Sequence, residues 1–386
     1  MSVTFGSEVL LSSGRLHGRR VGLVCNPASV DARMRHVSDE FIRRGVTLGA
    51  IFGPQHGFRA DVQDNMIETA HGRDPKREIP IHSLYSETRE PTADMLRGVD
   101  VLVVDLQEIG ARIYTFIATM AACLRAGRRH GLPVIVCDRP NPIGGDAVEG
   151  PMLAPGWESF VGPFAMPMRH GMTMGELARL FNDGFGIGAD LLVVPMEGWT
   201  RDQYWTDTGL PWVMPSPNVP TAETAVVYPG TVLLEGTNAS EGRGTTRPFE
   251  IVGAPWVDAE NFAARLNRAR FPGVHFRPVV FEPTFQKHAG RACGGCQIHV
   301  RNRRQFRPVQ TAVAIIRELR HANPDAFGWR QPPYEYETVK LPIDILAGSD
   351  RLRQQIEQGM DATDIAGGWE LEVGGFAEVR GKYLLY

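Results

Sequence analysis

The chain lacks any unbroken apolar run approaching the ~18 residues of a membrane-spanning helix. Its N-terminus, MSVTFGSEVLLSSGRLHGRR, has neither a basic region leading into an apolar stretch nor a small-residue cleavage site. A soluble protein of the cytoplasm is therefore expected. Charge of one sign is also lacking: 41 Lys and Arg stand against 44 Asp and Glu, for a formal net charge of −3. That leaves too little field to gather nucleic acid or an anionic membrane, and neither is an expected partner. Cysteine is scarce, five in 386 residues, an odd number that fits a reducing compartment better than a disulfide framework. Nucleotide-binding loops are missing as well. The first expected strand runs into VCNPASVD rather than a Gly-rich turn, and no G-x-x-x-x-G-K-[ST] loop occurs, which disfavours nicotinamide, flavin and NTP cofactors. No H-x-H or H-E-x-x-H pairing suggests a metal. No cofactor is expected.

What is present is an alternation. RRVGLVC, VTLGAIFG, IPIHSLY, VDVLVVD, LPVIVC and ADLLVV read as short buried strands, with helical patterns between them at RMRHVSDEFIRRG, PTADMLRGV and TMGELARLFND. Ile113, Phe116, Ile117, Met120, Ala121 and Leu124 form an apolar helical stripe that ends in Arg128, Arg129 and Gly131. Parallel neighbours need crossovers, so this order predicts an α/β, Rossmann-like, doubly wound parallel sheet over residues 1–230. From Tyr228 the texture changes to Gly- and Pro-rich loops and short strands. A smaller α+β domain over 231–386, closing an interdomain cleft, is expected there.

Residues beyond the carboxyl ends of such strands converge on one edge, where ligands bind in these folds. That edge would carry Asn26, Gln55, His56, Asp105, Gln107, Glu108, Asp138, Arg139 and Asn141, with Arg59 close behind His56. Asp105 or Glu108 could equally cap the following helix and pair with Arg112. The loop LLEGTNASEGRGTTRPFE packs Glu235, Asn238, Glu241, Arg243 and Arg247 among glycines, a composition suited to close approach to a hydroxyl-rich ligand. Arg169, His170 and Asn218 form further polar islands, and His170 could be a satisfied structural histidine. Trp199, Tyr204, Trp205 and Trp212 are either core or a platform for a sugar face. The lone C-x-x-C at Cys293 and Cys296 lacks the further ligands of a zinc site, and a tight turn is expected there.

Taken in order, GPQHGF, DLQEIGARIYTF, DRPNPIGG, PMRHGMTMGELA, PSPNVPT, EGTNASEGRGTTRPFEIVGAPW and the PTFQKHAG and CGGCQIHV segments resemble the NamZ-type exo-β-N-acetylmuramidases, a bacterial family long counted as a domain of unknown function. The resemblance implies a cofactor-free glycosidase that releases N-acetylmuramic acid from the non-reducing end of cell-wall fragments, and the expected cytoplasmic location points to recycling of cell-wall sugars. Its partner would be a small carbohydrate. The alternatives are a non-catalytic sugar-binding homologue and a hydrolase or lyase for a related amino sugar.

Glycoside hydrolysis usually needs two carboxyl groups. The resemblance implies a Glu, carried by many relatives, where this chain has Gln55, and Gln can neither donate a proton as an acid nor attack as a carboxylate. The expectation is that Glu108 is one carboxyl and Glu241 or Glu235 the other, with His56 beside them and Gln55 holding a hydroxyl or a water. Arg112, Arg243 and Arg169 are the candidates for the lactyl carboxylate of muramic acid. Asn26, Arg59, Asp138, Arg139, Asn141, His170, Asn218 and Asn238 complete the expected substrate-binding set. Nothing in the sequence fixes an oligomeric state.

Overall fold

The structure, a computed structural model, describes residues 3–64 and 66–386. The first strands in chain order are β1 (Arg20–Cys25), β2 (Thr47–Gly53), β3 (Gly72–Arg73), β4 (Pro80–Ser83), β5 (Val101–Asp105) and β6 (Val134–Cys137). A separate ribbon of β7 (Glu149–Met152) and β8 (Pro167–Arg169) follows before β9 (Leu191–Val194) rejoins the main sheet. Its spatial order is β3-β4-β2-β1-β5-β6-β9, with every pair parallel except β3 and β4.

Burial on both faces makes this sheet doubly wound. Along β5, Val101 and Val103 join an apolar cluster with Leu10 of α1 (Gly6–Ser12) and with Val37 and Phe41 of α2 (Val37–Arg43). Leu102 and Val104 face the opposite cluster, which contains Phe116, Ile117 and Met120 of α3 (Phe116–His130) and Leu177 of α4 (Met174–Arg179). That alternation is what a side-chain period of two gives when helices cover both faces. α3 is buried on nearly every side as far as Gly127 and ends where Gly131 takes a left-handed φ of 65°. The expected helix at PTADMLRGV is instead a run of turns, Leu96 N–H to the Thr92 carbonyl and Val99 N–H to the Leu96 carbonyl. Pro91 and Gly98 bracket a segment too short for a stable helical nucleus.

The second half contains α5 (Ala222–Thr231), β10 (Ile251–Ala254), α6 (Ala259–Arg268), β11 (Val274–Phe281), β12 (Cys293–Val300) and α7 (Pro308–Ala322). Residue 230 lies within α5. Its antiparallel sheet has the order β10-β12-β11. The expected turn at the C-x-x-C is therefore the start of the central strand. Gly294 and Gly295 serve close packing there, because a Cβ at either would lie about 2 Å from a backbone oxygen, that of Val257 or of Val252. Cys293 and Cys296 are buried free thiols on this strand. One apolar cluster continues from Val24 and Phe52 of the main sheet through Tyr228 and Val232 to Val313 and Ile316 of α7. The two halves thus share a core. No helix among the described residues is long and apolar enough to cross a membrane.

Candidate active site

Over the carboxyl ends of β2 and β5, which flank β1, lies a narrow cavity. It sits where the strand order diverges, the position that open parallel sheets offer to ligands. Gln55 and His56 enter it from the loop after β2, and Ile113 to Phe116 from the loop after β5. The second half closes it with Tyr228, Glu235, Arg243, Phe249, Tyr334 and Glu335, while Ser216 and Asn218 complete the wall. Size does not single this cavity out, since a larger hollow lies among Met152, Phe185, Trp369 and Phe376. Its chemistry does.

The carboxyls face the cavity in different company. The Glu235 carboxylate accepts from Tyr334 Oη at 2.8 Å and pairs with Arg243 Nη2 at 2.8 Å. The other arm of Arg243 pairs with Glu241 at 2.8 Å, and Lys287 Nζ meets the second Glu241 oxygen at 2.8 Å. Two cations and two anions cancel within this group, so their mutual burial is tolerable. Burial alone would raise the Glu241 carboxyl, but Lys287 and Arg243 outweigh it and hold it down at about 2.

Among the described residues, no guanidinium pairs with Glu335. Gln55 Nε2 donates to one of its oxygens at 3.1 Å and Tyr85 Oη to the other at 2.9 Å. Burial dominates over these two hydrogen bonds and pushes its carboxyl up to about 7, with Glu235 adding to the rise and Arg243 opposing it. Thr115 Oγ1 donates to Gln55 Oε1 at 2.6 Å, which fixes the amide so that its NH2 points at Glu335. Burial lowers the His56 imidazole to about 4, so the ring is neutral near pH 7, with Nδ1 bonded to the Val62 carbonyl at 2.7 Å.

The backbone around this cavity is strained. Tyr334 and Glu337 exchange N–H to carbonyl bonds of 2.8 and 2.9 Å, and the two residues between them, Glu335 and Tyr336, have φ of 43° and 71°. A two-residue hairpin with both central residues left-handed normally takes Asn and Gly. His56 (φ 69°) and Phe249 (φ 65°) line the same cavity, and Met66 (φ 62°) accepts from Glu335 N–H through its sulfur at 3.4 Å. Each such residue costs about 1–3 kcal/mol, and strain of this kind gathers where a site must be held in place.

Of the residues expected from sequence, Gln55, His56, Asn218, Glu235 and Arg243 line the cavity, and Glu241 lies behind Arg243. Glu108 does not: it is buried against His170 Nε2 at 3.4 Å and accepts from Gly110 N–H, outside the cavity wall. The other strand-end groups are consumed by the fold. Arg139 makes a bidentate pair with Asp105 at 2.5 and 2.9 Å, and Asp138 accepts from Thr173, Gly175 and Tyr386 around the start of α4. Asn26 donates to the Pro215 carbonyl, Asn141 to Met172, Asn238 to Ala326 and Gln107 to Pro140.

Of the three guanidinium groups expected for a lactyl carboxylate, Arg243 lines the cavity, while Arg112 and Arg169 lie outside its wall. Arg112 is buried against the Leu346 carbonyl, Arg169 donates to the Ile143 carbonyl and to Tyr204, and Arg243 is shared between two glutamates. His170 accepts from Met172 N–H through Nδ1 and lies beside Glu108, outside the cavity wall. Arg59 is exposed and outside the wall. Trp199, Tyr204 and Trp205 are core, and Trp212 packs edge-on against Trp205, so these rings offer no platform at the cavity. Sequence reasoning missed Glu335, Tyr85, Tyr334 and Lys287. The only signal for Glu335 is PPYEYE, a carboxylate between two tyrosines after a Pro pair.

The family model described as exo-β-N-acetylmuramidase NamZ, N-terminal, matches residues 21–223, and its C-terminal counterpart matches residues 226–386. The chain is similar to the peptidoglycan β-N-acetylmuramidase NamZ of Bacillus subtilis (strain 168), with 43% identity over 100% of this chain and 91% of that protein. Two crystal structures of DUF1343 family proteins from Bacteroides fragilis NCTC 9343 share its fold. One has 34% identity and a TM-score of 0.90, the other 26% and 0.76, and both matches cover 100% of this chain and 99% of the other.

Proposed function

Since the chain belongs to the exo-β-N-acetylmuramidase NamZ family, we propose that it is a glycosidase whose substrate enters the cavity between the main sheet and the second half. It hydrolyses the β-glycosidic bond of a non-reducing terminal N-acetylmuramic acid in peptidoglycan fragments. The observation that carries this reading is the pair of buried carboxyls lining one cavity, Glu235 in an ion pair with Arg243 and Glu335 with no ion pair among the described residues. Two carboxyls of unlike environment are what glycoside hydrolysis asks for, one as proton donor and one as base or nucleophile. Tyr114, Tyr228 and Tyr334 supply apolar faces for a sugar ring, and Ser216, Asn218 and the Gln55 amide supply hydrogen bonds to its substituents.

The test is incubation with N-acetylmuramyl-β-1,4-N-acetylglucosamine, with free N-acetylmuramic acid sought by mass spectrometry. Release is the expected result. Gln55 favours one second reading, a protein that binds the sugar without cleaving it, because an amide stands where the family resemblance implies a carboxylate. A ligand-induced rise in melting temperature with no product would support that reading instead.

A further inference from the structure

We propose that Glu335 is the proton donor to the departing glycosidic oxygen, with Gln55 and Tyr85 as the residues that position it. The inference rests on the glycosidase reading and assigns the acid within it.

Four observations converge on this carboxyl. It lines the cavity and is almost wholly buried. Its turn holds two successive non-glycine residues in left-handed conformation, so the chain is bent at this point towards the cavity against its own preference. Each oxygen meets one neutral donor, Gln55 Nε2 and Tyr85 Oη, and neither brings the full positive charge that would force ionisation. Burial then leaves the carboxyl protonated up to about pH 7, as a general acid requires.

The groups facing it from the surrounding elements are Tyr85 after β4, Glu235 and Arg243 across the cavity, and Tyr334 and Tyr336 on its own turn. Arg89 stacks on Tyr336 at 3.3 Å and lies near Glu68 at 3.5 Å. Glu235 and Arg243 act on Glu335 in opposite senses, so the balance left to decide is burial against the two hydrogen bonds.

In the step itself the C1–O4 bond breaks and its electron pair stays on O4, which takes the Glu335 proton and leaves as the hydroxyl of N-acetylglucosamine. Water adds its oxygen to C1 and gives up one proton, which restores the protonation of the two carboxyls. Gln55 has no proton to give as an acid. Its part is to orient Glu335, and Thr115 fixes its amide for that task.

The experiment compares wild type and Glu335→Gln on two substrates, the disaccharide and the 4-nitrophenyl β-glycoside of N-acetylmuramic acid, whose phenolate departs without a proton. The variant is expected to lose about 100-fold or more in kcat on the disaccharide but less than about tenfold on the aryl glycoside. The alkaline fall of the wild-type rate, centred near pH 7, should disappear. Equal losses on both substrates, or an unchanged alkaline limb, would overturn the assignment.

Tyr85→Phe keeps the ring and removes a hydrogen bond that favours the ionised carboxyl, so it should move the alkaline limb to higher pH. A limb that stays in place overturns the assignment even if the first variant fails to fold. Wild type inactive on both substrates would sink the glycosidase reading itself, and the acid role with it.

Discussion

Asp105 and Arg139 at the ends of β5 and β6 spend their charges on each other, whereas Glu335 and Glu235, on the hairpin and loop that cover the sheet, spend part of theirs on a shared cavity. Both collections are buried and polar, and both lie near carboxyl ends of the sheet. The difference is closure. At the β5–β6 edge, Arg139 meets Asp105 and the Val30 carbonyl, while Asp138 takes donors from Thr173, Gly175, Tyr386 and the Arg139 N–H. Over β2 and β5 the partners come from distant segments and leave a space between them. A buried charge at a strand end is thus weak evidence for a site until its partners are counted.

The largest expected effect separates the two regions by stability and activity together. Arg243→Met removes the guanidinium that pairs with Glu235 and Glu241, so it should cost about 3–5 kcal/mol in urea unfolding and lower kcat by about 100-fold or more. Asp105→Asn strands Arg139 and should cost about 3 kcal/mol or more, while the molecules that remain folded keep kcat within about threefold. Similar kinetic losses in both would erase the distinction.

A smaller effect concerns pH. Burial pushes the Asp138 carboxyl up from 3.8 to about 7 and the Glu335 carboxyl from 4.5 to about 7. A carboxyl whose folded pKa exceeds its unfolded value holds its proton more tightly in the folded state. Its contribution to stability is present at low pH and declines as pH rises from about 4 to about 7. Asp138→Asn should remove a slope worth no more than ~4 kcal/mol over that window, measured by unfolding at pH 4.5 and pH 7.5. Glu335 acts in the same direction, so the slope shrinks rather than vanishes. The alkaline limb of activity should not move in Asp138→Asn, since that carboxyl is sealed under α4 and Tyr386.

The main sheet was legible because buried parallel strands are short apolar runs and the crossover helices carry their own period. PTADMLRGV misled because its apolar residues fit a helical turn, while Pro91 and Gly98 confine it to turns. In the site, Glu235, Arg243 and Gln55 stood out through residue types that a surface loop rarely combines. Glu108 stood out by its proximity to the end of β5, which says nothing of the Gly110 amide and His170 that meet its Oε2. Glu335 was invisible because its importance comes from a hairpin some 280 positions away in sequence folding over Gln55, and no periodicity records that contact.

The central claim is that catalysis belongs to the cavity and not to the strand-end network, and paired kinetics of Glu235→Gln and Glu108→Gln on the disaccharide test it most directly. With the folded fraction of each variant measured alongside, Glu235→Gln should fall by about 100-fold or more in kcat and Glu108→Gln by less than about tenfold. The reverse order would contradict the account and return the reaction to the end of β5.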